Sequence, residues 1–109
     1  MRSAKVLFKG EEAGILTQQD NGSFTFQYHP AWVEDGHKPA VSLTLPKTAT
    51  DYHSRFLFSF FYNMLPEGSN RQVVCQLNRI DKRDYFGMLL TTAQYDTIGA
   101  VTVSKIDAL

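Results

Sequence analysis

The sequence has one cysteine, no excess charge and no long apolar run, and each shortage excludes a class of protein. Cys75 has no second cysteine with which to form an internal disulfide, which fits a reducing compartment. Lysine plus arginine number 11, as do aspartate plus glutamate, so a net charge of zero gives no general attraction to nucleic acid or anionic membranes. No segment approaches the roughly 20 apolar residues of a membrane span, and no secretion signal is recognisable. We therefore expect a cytoplasmic protein that does not act at a membrane.

Motifs of catalysis and cofactor binding are also missing from the sequence. It has no GxxxxGKS or GxxxxGKT phosphate loop, no GxGxxG, no HExxH and no CxxC. The three histidines, His29, His37 and His53, lack a metal-ligand spacing on a common element. Cys75 is expected on the outer side of its helix, with no base to activate it. We predict no cofactor, no metal and no enzymatic activity. A small enzyme built on the histidines and carboxylates, and direct DNA binding, remain alternatives.

Alternating apolar residues and turn signals predict β-structure in the first half. "KVLFKGEEAGILTQ" favours two strands around a turn at Gly10, and "DNG" at 20–22 is a second turn signal. "SFTFQY" predicts a half-buried antiparallel strand. The residues on its apolar face are Phe24, Phe26 and Tyr28. "VSLTLP", residues 41–46, predicts a further strand, and residues 29–39 are expected to form a loop.

Helical patterns dominate the second half. A helix is predicted from Thr50 or Asp51 to Leu65, and a second begins at Ser69 with capping-box spacing to Gln72. The stripe of this second helix that should face the core contains Val73, Val74, Leu77 and Ile80. Asp84 should cap a third, short helix. Its inward residues would be Phe86, Leu89 and Leu90.

A closing strand follows these helices in "IGAVTVSKI", which contains Ile98, Val101 and Val103. Strands first, helices next and a final strand indicate an α+β domain. We expect a small antiparallel sheet of about four to five strands packed with about three helices. Residues 1–109 are expected to form a single domain.

The segment "RFLFSFFYNMLPEG", residues 55–68, concentrates four phenylalanines and one tyrosine. On a helical wheel the apolar residues of this segment would span an arc of roughly 200°, against about 100° for a helix with one buried face. The arc contains Phe56, Leu57, Phe58, Phe60, Phe61, Met64 and Leu65. Such a helix could lie between the sheet and the other helices, or it could present Phe58 and Tyr62 to a partner. Trp32, in the predicted loop, is either a lid on the core or a binding anchor. The predicted partner-binding residues are Trp32, Phe58, Tyr62, His29 and Asp35.

Seven short features, in order, resemble the N-terminal subdomain of the HipA-type toxin kinases. They are "GILT", "NGSFTFQYHPAW", "PAVSLTLP", "FSFFYNMLPEG", Arg71, "DYFGMLL" and "DTIGAVTV". The resemblance extends from Val6 to about Val103, nearly the whole sequence. One departure concerns the turn before Asp96, where Gln94 stands near the family's usual glycine.

The resemblance implies a function as well as a fold. The family's kinase core follows this subdomain, but the sequence here contains no glycine-rich ATP loop, catalytic aspartate motif or metal-binding aspartate motif. A version without that core resembles the HipS family, the small third component of tripartite bacterial HipBST toxin–antitoxin modules. Those modules also contain a shortened HipA-like kinase and a helix-turn-helix protein that binds the operator. The implied function is an antitoxin that binds and neutralises a HipA-like serine/threonine kinase in trans.

The same resemblance leaves a second reading open. The domain could be an assembly or regulatory subunit of the kinase–repressor complex, with little inhibition of its own. In either case the implied partners are a HipA-like kinase that lacks this subdomain and a helix-turn-helix repressor. DNA would be contacted only indirectly, through the repressor.

Overall fold

The computed structural model describes residues 1–93 and 100–106 of the chain. Its strands are β1 (Arg2–Phe8), β2 (Glu11–Gln18), β3 (Phe24–Tyr28), β4 (Asp51–Ser54) and β5 (Val101–Lys105). Its helices are α1 (Pro30–Glu34), α2 (Ser59–Tyr62), α3 (Gly68–Asn78) and α4 (Tyr85–Thr92). The expectations for Gln94, Asp96 and Ile98 fall outside the described residues.

The five strands form one antiparallel sheet in the order β4-β3-β2-β1-β5. The predicted turns are confirmed. Lys9 and Gly10 have φ of 50° and 84°, which suits the tight turn between β1 and β2, and Gly22 has φ of 88° in the turn before β3. A β-bulge between Val6 and Leu7 shifts the register against β2 by one residue, leaving Ala13 as the extra residue.

One face of the sheet is buried beneath the helices. Side chains alternate across the strands as the pattern predicted, because successive Cβ atoms point to opposite faces. The buried face contains Ala4, Val6, Leu16, Phe24, Phe26, Tyr28, Val101 and Val103. Helices α2 and α4 contribute Phe61, Phe86, Met88 and Leu89, all without solvent exposure. The predicted α+β class, with its small antiparallel sheet, is therefore confirmed.

The predicted helix from residue 50 to Leu65 is wrong. Asp51–Ser54 forms β4, which pairs with the otherwise unpaired edge of β3, and the helix that follows spans only Ser59–Tyr62. Edge pairing satisfies the backbone groups of both strands, and this outweighs a weak local helix preference. Phe58, with φ of −55° and ψ of 139°, is extended, so no continuous helix passes through it.

Two further local predictions in the first half are wrong. Val41 and Leu45 are buried, but Leu43 is 98% exposed because the backbone turns back on itself from Ser42 to Leu45 instead of extending. The predicted loop at 29–39 contains helix α1, which begins at Pro30. A proline fits the first turn of a helix, where its missing N–H costs no hydrogen bond.

Helix α3 is rotated relative to its prediction. Val73 and Leu77, expected in the core, are 50% and 78% exposed, whereas Cys75, expected outside, is 3% exposed. The predicted capping box is absent, since Glu67 is the N-cap and makes no side-chain cap bond. Arg71 is half-buried, and its Nε donates to the carbonyl of Pro66 at 2.9 Å. Cys75, one turn later on the same side, faces the core.

The predicted cap of α4 is confirmed and is tied to the first strand. Asp84 accepts a hydrogen bond from the Gly87 N–H at 3.0 Å, and its carboxylate also pairs with Arg2 at 2.6 and 3.0 Å. The Arg2 guanidinium lies over the Phe86 ring, 5.1 Å from its centre. The bonds from Arg2 and Gly87 favour the ionised carboxylate and hold the pKa of Asp84 below its usual value, although partial burial opposes them.

Asp84→Ala is expected to lower the free energy of unfolding by about 1–2 kcal/mol at pH 7, since it removes the cap and the Arg2 pair. A carboxylate with a depressed folded pKa stabilises the fold above its unfolded pKa of about 3.9. That contribution disappears as the pH falls through the lower folded pKa. Urea unfolding from pH 7 to pH 3 should therefore show wild type and variant converging below about pH 4. Exposed Glu34 provides a control, Glu34→Ala. A gap that stays constant to pH 3 would contradict the role of the Asp84 charge.

Gly14 is required where β2 approaches β3. A Cβ at this position would lie 2.4 Å from the backbone oxygen of Gln27, which cannot yield as a flexible side chain could. Gly14→Ala is expected to cost about 3 kcal/mol of stability by forcing the two strands apart. Gly36→Ala is the matched control, because nothing lies within 4 Å of its added Cβ. Thermal unfolding followed by circular dichroism measures both, and equal melting temperatures would refute the steric argument.

Candidate partner-binding surface

The aromatic segment divides into a buried side and an exposed side. Leu57, Phe61 and Leu65 are 8%, 0% and 5% exposed. Phe61 packs against Phe26 and Phe60, with ring centres 5.9 and 5.2 Å apart. Phe58, Phe60 and Met64 are partly buried against the core. Phe56, which the helical wheel placed in the buried arc, is 75% exposed, because the segment around it is not helical.

An arginine and two tyrosines connect α2, α3 and α4 on the exposed side. The Tyr62 and Tyr85 rings meet edge to face with centres 5.5 Å apart. The Arg71 guanidinium lies 5.5 Å from the centre of the Tyr62 ring and 5.8 Å from that of Tyr85. These cation–π contacts position the two rings, which remain 40% and 37% exposed. Sequence reasoning selected Tyr62 but missed Tyr85.

A shallow groove of about 310 Å³ lies beside these tyrosines. Phe24 and Leu57 form its apolar floor, and the polar side chains Arg55 and Arg83 also line it. Within the part of the chain that the structure describes, no carboxylate contributes to this lining. The groove can therefore hold an apolar side chain next to negative charge.

Trp32 lies in the core and is 3% exposed. Of the two alternatives predicted for its ring, the structure supports a lid on the core rather than an exposed binding anchor. Its indole N–H donates to the carbonyl of Pro39 at 2.9 Å, and its ring meets Phe8 edge to face. Lys38 lies above the ring, 4.8 Å from its centre, and bonds to Glu11 at 2.7 Å. That bond to a carboxylate raises the pKa of Lys38 above its usual value.

His29 and Asp35 flank α1 and have local partners. Nε2 of His29 lies 2.6 Å from a Glu12 carboxylate oxygen without regular hydrogen-bond geometry, so the contact is ionic when the ring is protonated. The Asp35 carboxylate accepts from the His37 N–H at 2.9 Å, and its carbonyl accepts from Lys47 Nζ at 2.6 Å. Both residues thus have a structural task in the isolated chain.

The five predicted partner-binding residues do not form one patch. Trp32 and His29 lie near Glu11 and Glu12, at the start of β2, whereas Tyr62 borders the groove at Gln18, the end of that strand. An eight-residue strand separates these ends by roughly 23 Å. Phe58 lies near Tyr62, at the start of α2. Their partner-binding roles stay predictions.

Residues 1–93 and 100–106 contain no cluster of three or more His, Cys, Asp or Glu residues arranged to hold a metal ion. None of the helices in the same residues is long and apolar enough to cross a membrane.

Comparison with known proteins gives consistent matches along the chain. Residues 4–104 match the family model described as the HipA N-terminal domain. A solved structure of the N-terminal domain of HipA toxin superimposes with a TM-score of 0.74 and 30% identity, covering 100% of this chain and 96% of that one. An uncharacterised protein of Haemophilus influenzae is 33% identical over 96% of this chain and 93% of its own length.

Two proteins of Sinorhizobium fredii, Y4mE and Y4dM, each assigned by name as a candidate kinase, are 33% and 31% identical. These two matches cover 82% and 86% of this chain, but only 21% and 24% of the length of the two relatives. The solved match is to an N-terminal domain rather than to a catalytic one. The resemblance inferred from the sequence is confirmed: the chain belongs to the HipA N-terminal domain family.

Proposed function

We propose that this protein is an antitoxin that binds and neutralises a HipA-like serine/threonine kinase in trans, in the cytoplasm. It would do so in a tripartite complex with a helix-turn-helix DNA-binding protein. The observation that carries the proposal is membership of the HipA N-terminal domain family over residues 4–104. The relative from Haemophilus influenzae, matched over 93% of its length, supports a domain that occurs apart from a kinase core.

Exposed apolar side chains support binding to another protein. Phe56 and Leu77 are 75% and 78% exposed, and Tyr62 and Val73 are 40% and 50% exposed. A domain that adjoins further chain in its longer relatives would retain such a surface when separate, and a partner would cover it. Neutralisation then requires either direct occlusion of the kinase site or preferential binding to an inactive kinase conformation.

The test is a phosphorylation assay with the purified HipA-like kinase of the same organism. The protein alone, added at increasing ratio, is expected to suppress substrate phosphorylation near one equivalent. A kinase that binds the protein but phosphorylates at an unchanged rate would overturn the antitoxin function and favour an assembly subunit. Operator binding measured by mobility shift should require the helix-turn-helix protein.

Tyr62→Ala is expected to weaken kinase binding roughly ten-fold, because an exposed tyrosine in an apolar setting is a typical binding hot spot. Isothermal titration calorimetry measures the affinity, and circular dichroism confirms that the variant is folded. Leu43→Ala is the matched control, since Leu43 is 98% exposed and lies outside the aromatic segment. Equal affinities of the two variants would place the kinase contact elsewhere.

A further inference from the structure

The groove beside Tyr62 combines an apolar floor with uncompensated positive charge. Phe24 and Leu57 form the floor, and Tyr62 and Tyr85 border it with partly exposed rings. Its volume of about 310 Å³ is at the lower end of the range for ligand pockets, enough for one large apolar side chain. The site therefore suits a single anchor residue rather than an extended apolar helix.

The cations of the groove are directed to solvent rather than to neighbouring carboxylates. Arg55 and Arg83 line the groove and are exposed. Of the two aspartates nearest Arg83 in the sequence, Asp84 pairs with Arg2, and Asp81 accepts from the backbone N–H of Arg83. The lining within the described residues thus carries two positive charges and no negative one.

Arg71 adds a third charge behind the tyrosines. Its guanidinium lies over both rings, 5.5 Å from the centre of Tyr62 and 5.8 Å from that of Tyr85. The contact holds the tyrosine rings in place without neutralising the arginine. Arginine and tyrosine together are the residue types most enriched at binding hot spots, and fixed rings lose little entropy when a partner binds.

From this complementarity we propose that the groove binds an acidic segment of a partner protein, with one aromatic or aliphatic side chain packed on Phe24 and Leu57 beside Tyr62 and Tyr85. Glutamates or aspartates on either side of that anchor pair with Arg55 and Arg83. Charge complementarity selects this occupant, because a basic or neutral segment would leave both arginines without partners. The inference concerns the chemistry of the segment and holds whichever protein supplies it.

An NMR titration with two blocked peptides tests the proposal without the kinase. The probes are acetyl-Glu-Glu-Trp-Glu-Glu-amide and acetyl-Lys-Lys-Trp-Lys-Lys-amide, added to the ¹⁵N-labelled protein at low salt. The acidic peptide is expected to shift the amides of Arg55, Leu57, Tyr62 and Tyr85. The lysine peptide should bind at least roughly ten-fold more weakly. Equal binding of both, shifts confined to other residues, or no shifts would overturn the proposal.

Charge-reversal variants give an independent readout of the same site. Arg55→Glu/Arg83→Glu should abolish the shifts caused by the acidic peptide. Arg79→Glu/Lys105→Glu, at exposed positions outside the groove, changes the net charge equally and should leave them intact. Loss of binding in both double variants would show attraction by net charge alone and would also overturn the proposal. The peptide result does not depend on kinase inhibition, so failure of either proposal can be distinguished from failure of the other.

Discussion

Phe61→Ala is expected to lower the free energy of unfolding by about 3–5 kcal/mol, the usual range for removal of a buried aromatic ring. The ring is fully buried and packs against Phe26, Phe58 and Phe60, so its loss leaves a cavity where the aromatic segment joins the sheet. Urea unfolding followed by far-UV circular dichroism measures the change. Small domains have a total free energy of unfolding of about 5–15 kcal/mol, so the variant is expected to lose a large share of its stability.

Phe56→Ala is the matched control from the same segment. Its ring is 75% exposed, so its removal should alter stability by no more than about 0.5 kcal/mol. The contrast tests the division of the segment into a buried and an exposed side. If both variants were equally destabilised, Phe56 would also have to be covered in solution, and the described packing of the segment would be wrong.

The second large effect is expected at Trp32. Trp32→Ala should also cost about 3–5 kcal/mol, since it removes a buried indole that packs against Phe8 and bonds to Pro39. Trp32→Phe retains an aromatic ring and should cost about 1 kcal/mol through loss of the N–H bond, plus any imperfect packing. Because Trp32 is the one tryptophan, unfolding of both variants is followed by circular dichroism rather than by intrinsic fluorescence.

Trp32→Phe also tests the sequence-based expectation that this residue contacts a partner. A folded variant with clearly weaker kinase binding would support that contact. Unchanged affinity, together with a small loss of stability, would assign the indole to the core alone. Trp32→Ala cannot make this distinction, because its expected loss of stability would reduce binding whatever the position of the interface.

Local pattern predicted the first three strands well and the region around residue 50 poorly. Alternation in "SFTFQY" and the glycines at 10 and 22 are local signals, and the structure follows them. The residues of β4 alternate too weakly to be recognised, with half-buried Tyr52 and Ser54 between exposed residues. Asp51–Ser54 forms a strand because it pairs with the edge of β3. The sequence around residue 50 does not include that partner, so a local pattern could not reveal the strand.

The candidate surface was predictable only in part for a similar reason. Tyr62 could be selected because it lies at the polar margin of the aromatic segment. Tyr85 carried a weaker signal, namely its place next to inward-facing Phe86 on a short helix. The groove itself arises where Phe24, Tyr62 and Arg83 converge from separate segments of the chain. Such a convergence depends on how the helices and the sheet pack together, and sequence periodicity does not determine that packing.

The position of the last strand has a consequence for folding during synthesis. β5 pairs with β1, where Val6 opposes Val103, and the Ile106 N–H reaches the carbonyl of Ser3 at 3.2 Å. While the ribosome is still synthesising the helices, the outer edge of β1 therefore remains unpaired, because β5 has not yet been made. Closing a loop of nearly the whole chain is an intrinsically slow step of high contact order. A nascent chain halted before Val101 would expose that edge to pairing with other chains, which is a route to aggregation.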